Sequence, residues 1–162
     1  MTVTIDIAVE AAEWNELASA ETIVRRAIEA VLKNAQIDNG EVGVVLCDDA
    51  HMQELNQRWR GKDQPTNVLS FPASASGQGP APHFGDVVLA YETLNREADA
   101  ESKSVEAHLS HLAVHGMLHL LGSDHENDGD ADAMENLERK ILAGLGIPDP
   151  YAGGERMKRE HA

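Results

Sequence analysis

Apolar residues along the chain recur with two periods, one of two residues and one of about 3.6, and these periods predict strands and helices. Residues 3–9, VTIDIAV, alternate as a half-buried strand does, whereas apolar positions at 21–33 recur at helical spacing. A turn at 39–40, Asn-Gly, precedes an apolar run at 41–47. The first part of the chain therefore predicts a strand, a helix and a second strand.

The next segment predicts another helix. The aspartates at 48–49 suit its cap, and the pattern runs to about Trp59 with Met52, Leu55 and Trp59 spaced three and four residues apart. Gly61 follows the last of these residues and is typical of a helix end. We therefore expect this helix to cover about 48–59.

Two further strands are predicted at 68–71 and 85–91, on either side of a segment at 72–82. That segment is rich in Gly, Pro, Ser and Ala and has no apolar periodicity, which is typical of a surface loop. We expect this loop to be mobile and to lie beside the functional site.

The last part of the chain is predicted to be helical. One pattern begins at about Leu94 or Ser104 and stops at Gly122, and another covers 130–145. We expect the polar tail at 153–162 to be disordered. Strands interspersed with helices predict one domain at 1–152 with an α/β fold, in which helices cover a small four-stranded sheet. The apolar pattern leaves the direction of each strand open.

Charge narrows the possible functions. The chain has 28 Asp and Glu against 13 Lys and Arg, and this net charge of -15 opposes unaided attraction to nucleic acid or an anionic membrane. A polyanionic substrate would therefore need a locally positive site. We find no secretory signal and no membrane-spanning run, and expect a cytoplasmic protein without a membrane partner. Cys47, the single cysteine, lies in an apolar run, where packing is favoured over a reactive thiol.

A group of histidines in HGMLHLLGSDH, residues 115–125, carries the clearest chemistry. His115 and His119 are four residues apart, which stacks both rings on one helix face. Gly122 permits a positive φ, so the chain can leave the helix and bring His125 to the same point. Three histidines without a fourth ligand are typical of a catalytic zinc site, where the ion lowers the pKa of bound water. We therefore predict one zinc ion per chain.

Two other histidines precede this group on the same helix face. His108 and His111 are candidates to support His115, although packed or solvated side chains are the more common outcome for such residues. The competing interpretation for the whole group is a set of ordinary helix and cap histidines. The spacing of His115, His119 and His125 around a helix-ending glycine favours the metal site.

The same spacing fits the metzincin metalloprotease pattern H-E-x-x-H-x-x-G-x-x-H, except at Gly116, where that pattern has glutamate. This glutamate is the general base that activates water for peptide hydrolysis, and glycine cannot accept a proton. The sequence therefore argues against a peptidase.

Three segments together resemble the bacterial YbeY family of rRNA maturation endoribonucleases. They are HGMLHLLGSDH at 115–125, LNQRWRGKDQPTNVLSFP at 55–72 and GDVVLAY at 85–91, and their order and spacing match over most of 1–151. The resemblance implies a single-strand-specific, metal-dependent endoribonuclease that acts in 16S rRNA 3′-end maturation and ribosome quality control, with the small ribosomal subunit as partner. It also implies a small mixed sheet with helices, distantly similar to the metalloprotease core.

The resemblance assigns roles to individual residues as well. It implies that His115, His119 and His125 hold the zinc and that Arg60 lies across a cleft from it. Phosphodiester cleavage agrees with this set, because a Lewis-acidic metal and a guanidinium can stabilise the charge that develops on nonbridging oxygens without a glutamate base. His115 and Arg60 are therefore the predicted catalytic residues.

Positive and polar residues near Arg60 are weaker candidates. Arg58 and Lys62 form a local positive patch that suits substrate contact, with a solvated helix end as the equal alternative. Asn67, Thr66 and Ser70 carry groups that can hydrogen-bond phosphate or ribose, although such residues also serve turns and strand starts. We favour that structural role for Ser70.

Two carboxylates are candidates to support the metal ligands indirectly. Asp124 precedes His125 and is placed to orient it or a water, and Asp86 follows Gly85 on the fourth predicted strand. Exposure is the default for both side chains.

Two other functions are alternatives to the endoribonuclease. The first is a ribosome assembly or binding factor with a mainly structural zinc, which the acidic surface would suit through contacts with basic ribosomal proteins. The second, a zinc metalloprotease, is the least favoured because of Gly116. The sequence specifies neither the RNA site nor the oligomeric state.

Overall fold

The structure, a computed structural model, describes residues 2–73, 82–123 and 128–152. Its four strands form one sheet in the order β1-β2-β4-β3, in which β1, β2 and β4 are parallel and β3 is antiparallel to β4. The sheet is therefore mixed, as the family resemblance implies. The strands are Thr2–Val9 (β1), Asn39–Cys47 (β2), Val68–Pro72 (β3) and His83–Ala90 (β4).

Five α-helices accompany the sheet, and a 3-10 helix at Ala12–Glu16, which the apolar pattern did not predict, precedes the first of them. The long helical pattern before Gly122 is divided into two helices, and the hydroxyl of Ser104 caps the second by accepting a hydrogen bond from the Ala107 N–H. None of the described helices is long and apolar enough to cross a membrane. The helices are Ala20–Asn34 (α1), Asp49–Arg60 (α2), Tyr91–Ala100 (α3), Val105–Leu120 (α4) and Asp128–Gly144 (α5).

The helices pack on both faces of the sheet, which explains why β2 and β4 are rich in buried apolar residues. On one face, α1 and α4 form the larger core with Val44, Val87 and other inward residues of the strands. On the other face, Met52 of α2 packs in a smaller cluster with Leu69 and Val88. The predicted α/β fold is thereby confirmed.

Cys47 belongs to the smaller cluster and is 1% exposed. Burial, reinforced by the negative charge of Asp48, raises the pKa of its thiol to about 12. The reactive thiolate is therefore disfavoured at neutral pH, and the packing role expected for Cys47 is confirmed.

Candidate metal centre

The second half of α4 brings His115 and His119 together, as their spacing predicts. Their Nε2 atoms lie 3.2 Å apart, and their ring centroids are separated by 4.7 Å. Two nitrogens bonded at about 2.1 Å to one tetrahedral zinc ion would be roughly 3.4 Å apart. The geometry of this pair therefore fits two ligands of a single ion.

The third predicted ligand, His125, and the neighbouring Asp124 lie outside the described residues. Within 2–73, 82–123 and 128–152, no three His, Cys, Asp or Glu side chains form a group that could hold a metal ion. Gly122 has a φ of 99°, which is the conformation that the predicted exit from the helix requires. The described structure thus supplies two of the three predicted ligands.

A buried carboxylate on α5 fixes the ring of His115. Glu138 is 0% exposed, and its Oε2 lies 2.7 Å from Nδ1 of His115. Its other oxygen, Oε1, lies 2.7 Å from Nε2 of His111 and accepts a hydrogen bond from the hydroxyl of Tyr151. Three donors therefore surround one buried acceptor, which is the arrangement that makes a buried charge tolerable.

The protonation of Glu138 decides which nitrogen of His115 can bind a metal. Burial alone would raise the pKa of Glu138, but hydrogen bonds from His111 and His115 outweigh it and hold the pKa below its usual range. An ionised carboxylate only accepts, so Nδ1 of His115 must donate. The lone pair of the neutral ring is then at Nε2, the atom that faces His119. Glu138 thereby prepares His115 as a ligand.

The two upstream histidines, His108 and His111, are buried and packed. Packing was one of the two common outcomes, with solvation as the other. His111 is buried against Glu138, and burial lowers its pKa against the opposing effect of that carboxylate. It therefore supports His115 through a shared acceptor. His108 has a different partner, since its Nε2 lies 2.8 Å from Oε1 of Glu97.

Glu138 was not among the residues predicted for the site, although the sequence contains a signal for it. Ala131, Met134, Ile141 and Leu142 are buried along one face of α5. Glu138 lies four residues after Met134 and three before Ile141, so it is a charged residue on an apolar helix face. Such a residue requires a buried partner, and the histidines of α4 are the available candidates.

The predicted cationic cluster lies at the end of α2. Arg60 is the last residue of this helix and is half-buried, and Gly61 follows it with a φ of 70°. Arg58 is exposed and Lys62 is half-buried. Because α2 and α4 pack on opposite faces of the sheet, Arg60 and His115 belong to helices on opposite faces. Their joint role in catalysis stays a prediction.

The two remaining candidates among the described residues are Asn67, just before β3, and Asp86, on β4. Asn67 is 1% exposed, and its amide donates a hydrogen bond to Glu97, so its contact with a substrate stays a prediction. Asp86 is exposed on β4, next to Val87. Since successive side chains of a strand point to opposite faces and Val87 packs in the core with α4, Asp86 lies on the other face of the sheet.

Comparison with known proteins identifies the family. The family model described as endoribonuclease YbeY matches residues 6–146. The chain belongs to this family. Relatives named endoribonuclease YbeY include one from Rhodopseudomonas palustris (strain BisB18), 55% identical over 89% of each chain, and one from Nitrobacter hamburgensis, 52% identical over 94% of this chain and 84% of its own. Membership in the YbeY family supports an endoribonuclease role.

A solved structure is similar to most of the chain. The solution structure of TM1509 from Thermotoga maritima has a TM-score of 0.57 and 25% sequence identity, and the match covers 94% of this chain and 100% of that one. The likeness supports the YbeY-type fold, with its mixed sheet and helices on both faces.

Gly116, which separates this YbeY-family chain from the metzincin pattern, faces the sheet. A Cβ atom at this position would lie 2.8 Å from Cγ1 of Val87 and 3.1 Å from Cγ2 of Val68. The hydroxyl of Ser70 donates to the Gly116 carbonyl at 2.8 Å, which confirms the structural role favoured for Ser70. A glutamate at 116 would have no room, which adds a steric argument against a peptidase to the missing base.

Trp59 departs from the expected apolar face of α2. Met52 is fully buried, but Trp59 is 64% exposed, and its ring contact among the described residues is an edge-to-face one with Phe71, with ring centroids 6.1 Å apart. It is the more exposed of the two large apolar side chains that the described residues leave open to solvent. The structure therefore adds an exposed aromatic ring to the cationic end of α2.

Proposed function

We propose that this protein is a metal-dependent, single-strand-specific endoribonuclease acting on 16S rRNA of the small ribosomal subunit, in 3′-end maturation and quality control, in the cytoplasm. The observation that carries the proposal is the 3.2 Å approach of Nε2 of His115 to Nε2 of His119, with Glu138 holding the first ring in a ligand tautomer. Membership in the YbeY family supplies the reaction class.

The donor set fits a zinc ion. His115 and His119, together with His125, would hold it, because neutral imidazole nitrogens are among the ligands that zinc prefers. An ion bound there supplies Lewis acidity and lowers the pKa of coordinated water. The protein's own contribution is to fix His115 as a ligand, since Glu138, itself 0% exposed, keeps the proton of this buried ring on Nδ1.

Arg60 is the proposed electrostatic partner of the scissile phosphate. Its guanidinium can donate two parallel hydrogen bonds to phosphate oxygens, and charge that develops on those oxygens strengthens the bonds. Arg58 and Lys62 contribute positive charge at the same helix end. In a chain with a net charge of -15, this cluster supplies the local attraction that RNA requires.

Cleavage of a single-stranded 16S rRNA fragment by the zinc-loaded protein tests the proposal. We expect metal-dependent cleavage that His115→Ala abolishes and that Arg60→Ala reduces by about 100-fold to 1000-fold, the usual cost of a lost transition-state donor. The control is His51→Ala, a half-buried histidine on α2 outside the proposed site. Cleavage that persists unchanged in both site variants would reject the assignment, and elemental analysis of the same samples identifies the ion.

A ribosome assembly or binding factor is the second candidate, favoured by the acidic composition. Fifteen net negative charges suit contacts with basic ribosomal proteins. Binding of the folded His115→Ala variant to small ribosomal subunits distinguishes the two functions. If that variant supports subunit maturation as the unmodified protein does, catalysis is not the main role.

A further inference from the structure

The ring of Trp59 is exposed to solvent, and its packing in the fold does not account for a tryptophan at this position. The chain has two tryptophans, and Trp14 is 2% exposed and donates its indole N–H to the carbonyl of Cys47. Trp59 is 64% exposed and makes a ring contact with Phe71. A single exposed apolar side chain needs no explanation by itself, so it is the groups around the ring that point to a ligand.

The charges beside Trp59 indicate the class of ligand. Arg58 and Arg60 flank it directly in sequence, and Lys62 follows within three residues. These are three of only 13 Lys and Arg in a chain with 28 acidic residues. An exposed ring on a helix end that also carries cations suits single-stranded nucleic acid, since bases stack on such rings and phosphates pair with such cations.

Strand β3 connects this ring to the metal-binding helix. Phe71 contacts Trp59 on one face of the sheet, and Ser70 donates to the Gly116 carbonyl on the other. Ser70 and Phe71 are consecutive, so their Cα atoms are about 3.8 Å apart. Because β3 is the edge strand of the sheet, a flexible RNA strand that crosses this edge can reach both α2 and α4.

We propose that Trp59 is a stacking platform for one base of the RNA strand, and that Arg58 and Lys62 hold the adjacent backbone. This inference rests on the proposed function, because it assumes that single-stranded RNA enters the site. It assigns to Trp59 a positioning role in substrate binding, separate from the residues that hold the metal. The competing role is apolar cover for Phe71, which an aliphatic side chain would also provide.

The buried Trp14 makes tryptophan fluorescence a direct test, since only Trp59 is open to a base. The full-length, zinc-loaded protein is mixed in a stopped-flow instrument with a short single-stranded oligoribonucleotide, and emission is recorded before cleavage. A base-free ribose-phosphate chain of equal length is the control ligand. We expect quenching with the oligoribonucleotide only, and Trp59→Tyr to remove the signal while keeping most of the affinity.

Three variants separate stacking from structural cover and from charge. Trp59→Leu keeps an apolar side chain on Phe71 but removes the ring, and we expect it to raise KM about 5-fold to 100-fold with kcat within about twofold of the unmodified protein. Trp59→Tyr, with a smaller ring, is expected to change KM by less than Trp59→Leu. Arg58→Gln is expected to lower the slope of affinity against salt by about one, while Trp59→Leu leaves it unchanged.

Two results would overturn the proposal. The first is a Trp59→Leu variant that binds and cleaves RNA as the unmodified protein does, while cleavage still depends on His115; the stacking role then fails and the endoribonuclease stands. The second is equal quenching by the base-free chain, which would show that Trp59 responds to backbone alone. If the unmodified protein neither binds nor cleaves single-stranded RNA, the proposed function itself fails.

Discussion

The surroundings of His115 and those of Trp59 are built in opposite ways. Around His115 the side chains are buried, and Glu138 accepts hydrogen bonds from three donors. Around Trp59 the ring is 64% exposed and Arg58 is open to solvent. A metal ion requires fixed ligand positions, whereas a flexible RNA strand is bound better by side chains that can adjust their positions. The difference predicts that changes near His115 affect stability and that changes near Trp59 affect binding.

The largest effect is expected at Glu138. Glu138→Ala leaves His111, His115 and Tyr151 without their acceptor in a buried site, and we expect a loss of about 3–5 kcal/mol in the free energy of unfolding. Denaturant unfolding followed by circular dichroism measures it. The matched control is Glu29→Ala, an exposed carboxylate on α1, expected within about 0.5 kcal/mol of the unmodified protein. Equal effects of the two changes would contradict the role of Glu138.

Zinc binding is expected to raise the free energy of unfolding by about as much as Glu138→Ala lowers it, or by slightly less. An ion that binds the folded state alone adds about 3–4 kcal/mol when its free concentration is 100 to 1000 times its Kd. The increase should appear as a higher Tm, and His119→Ala should remove most of it. His51→Ala serves as the control, since His51 lies on α2 away from the histidine pair. A Tm increase that survives His119→Ala would place the ion elsewhere.

A smaller effect is expected where α4 meets the sheet. Gly116→Ala forces a Cβ atom to within 2.8 Å of Val87, and we expect a loss of about 1–3 kcal/mol from the strain. Gly144→Ala is the matched control, because a Cβ at Gly144 meets no atom within 4 Å and helical alanine is favoured over glycine. Urea unfolding of the two variants compares them directly. A neutral Gly116→Ala would mean that α4 does not depend on this close approach.

The smallest effect on stability is expected at the exposed end of α2. Arg58→Gln should change the free energy of unfolding by less than about 0.5 kcal/mol, because the side chain is exposed. RNA affinity should fall in the same variant, and the fall should be larger at low salt, where phosphate contacts are strongest. Titrations at two salt concentrations measure it. If Arg58→Gln lowered stability without lowering RNA affinity, the contrast between the surroundings of His115 and those of Trp59 would be reversed.

The sequence was sufficient for those parts of the fold that depend on local periodicity. The strands and helices lie close to their predicted positions, and the Ser104 and Asp48 caps accept from Ala107 and His51. The direction of β3 depends on how it pairs with β4, which local patterns do not report. Trp59 shows a second limit of prediction from periodicity. Helical spacing places it on the same face of α2 as Met52, but it does not show where along that face the buried core ends.

In the candidate site, too, local features could be predicted from the sequence and long-range contacts could not. His115 and His119 are neighbours on one helix, so their spacing alone places them together. Glu138 reaches His115 from another helix, and only the packing of α5 against α4 reveals the contact. Asn67 was a weaker candidate, for substrate contact or a structural role, and its bond to Glu97, 30 residues away in the chain, is not visible in local spacing. Long-range contacts therefore decide the supporting residues, while local spacing decides the pairing of His115 with His119.

The parallel order of the strands has a consequence for synthesis. Thr2 pairs with Asn39 and Glu41 pairs with His83, so the sheet joins segments far apart in the chain. All four strands nevertheless end by Ala90, before the first residue of α4. On the ribosome, where chains emerge from the N-terminus, all four strands are made before either histidine of the pair. A metal bound by that pair would therefore join a chain whose strands have all been made.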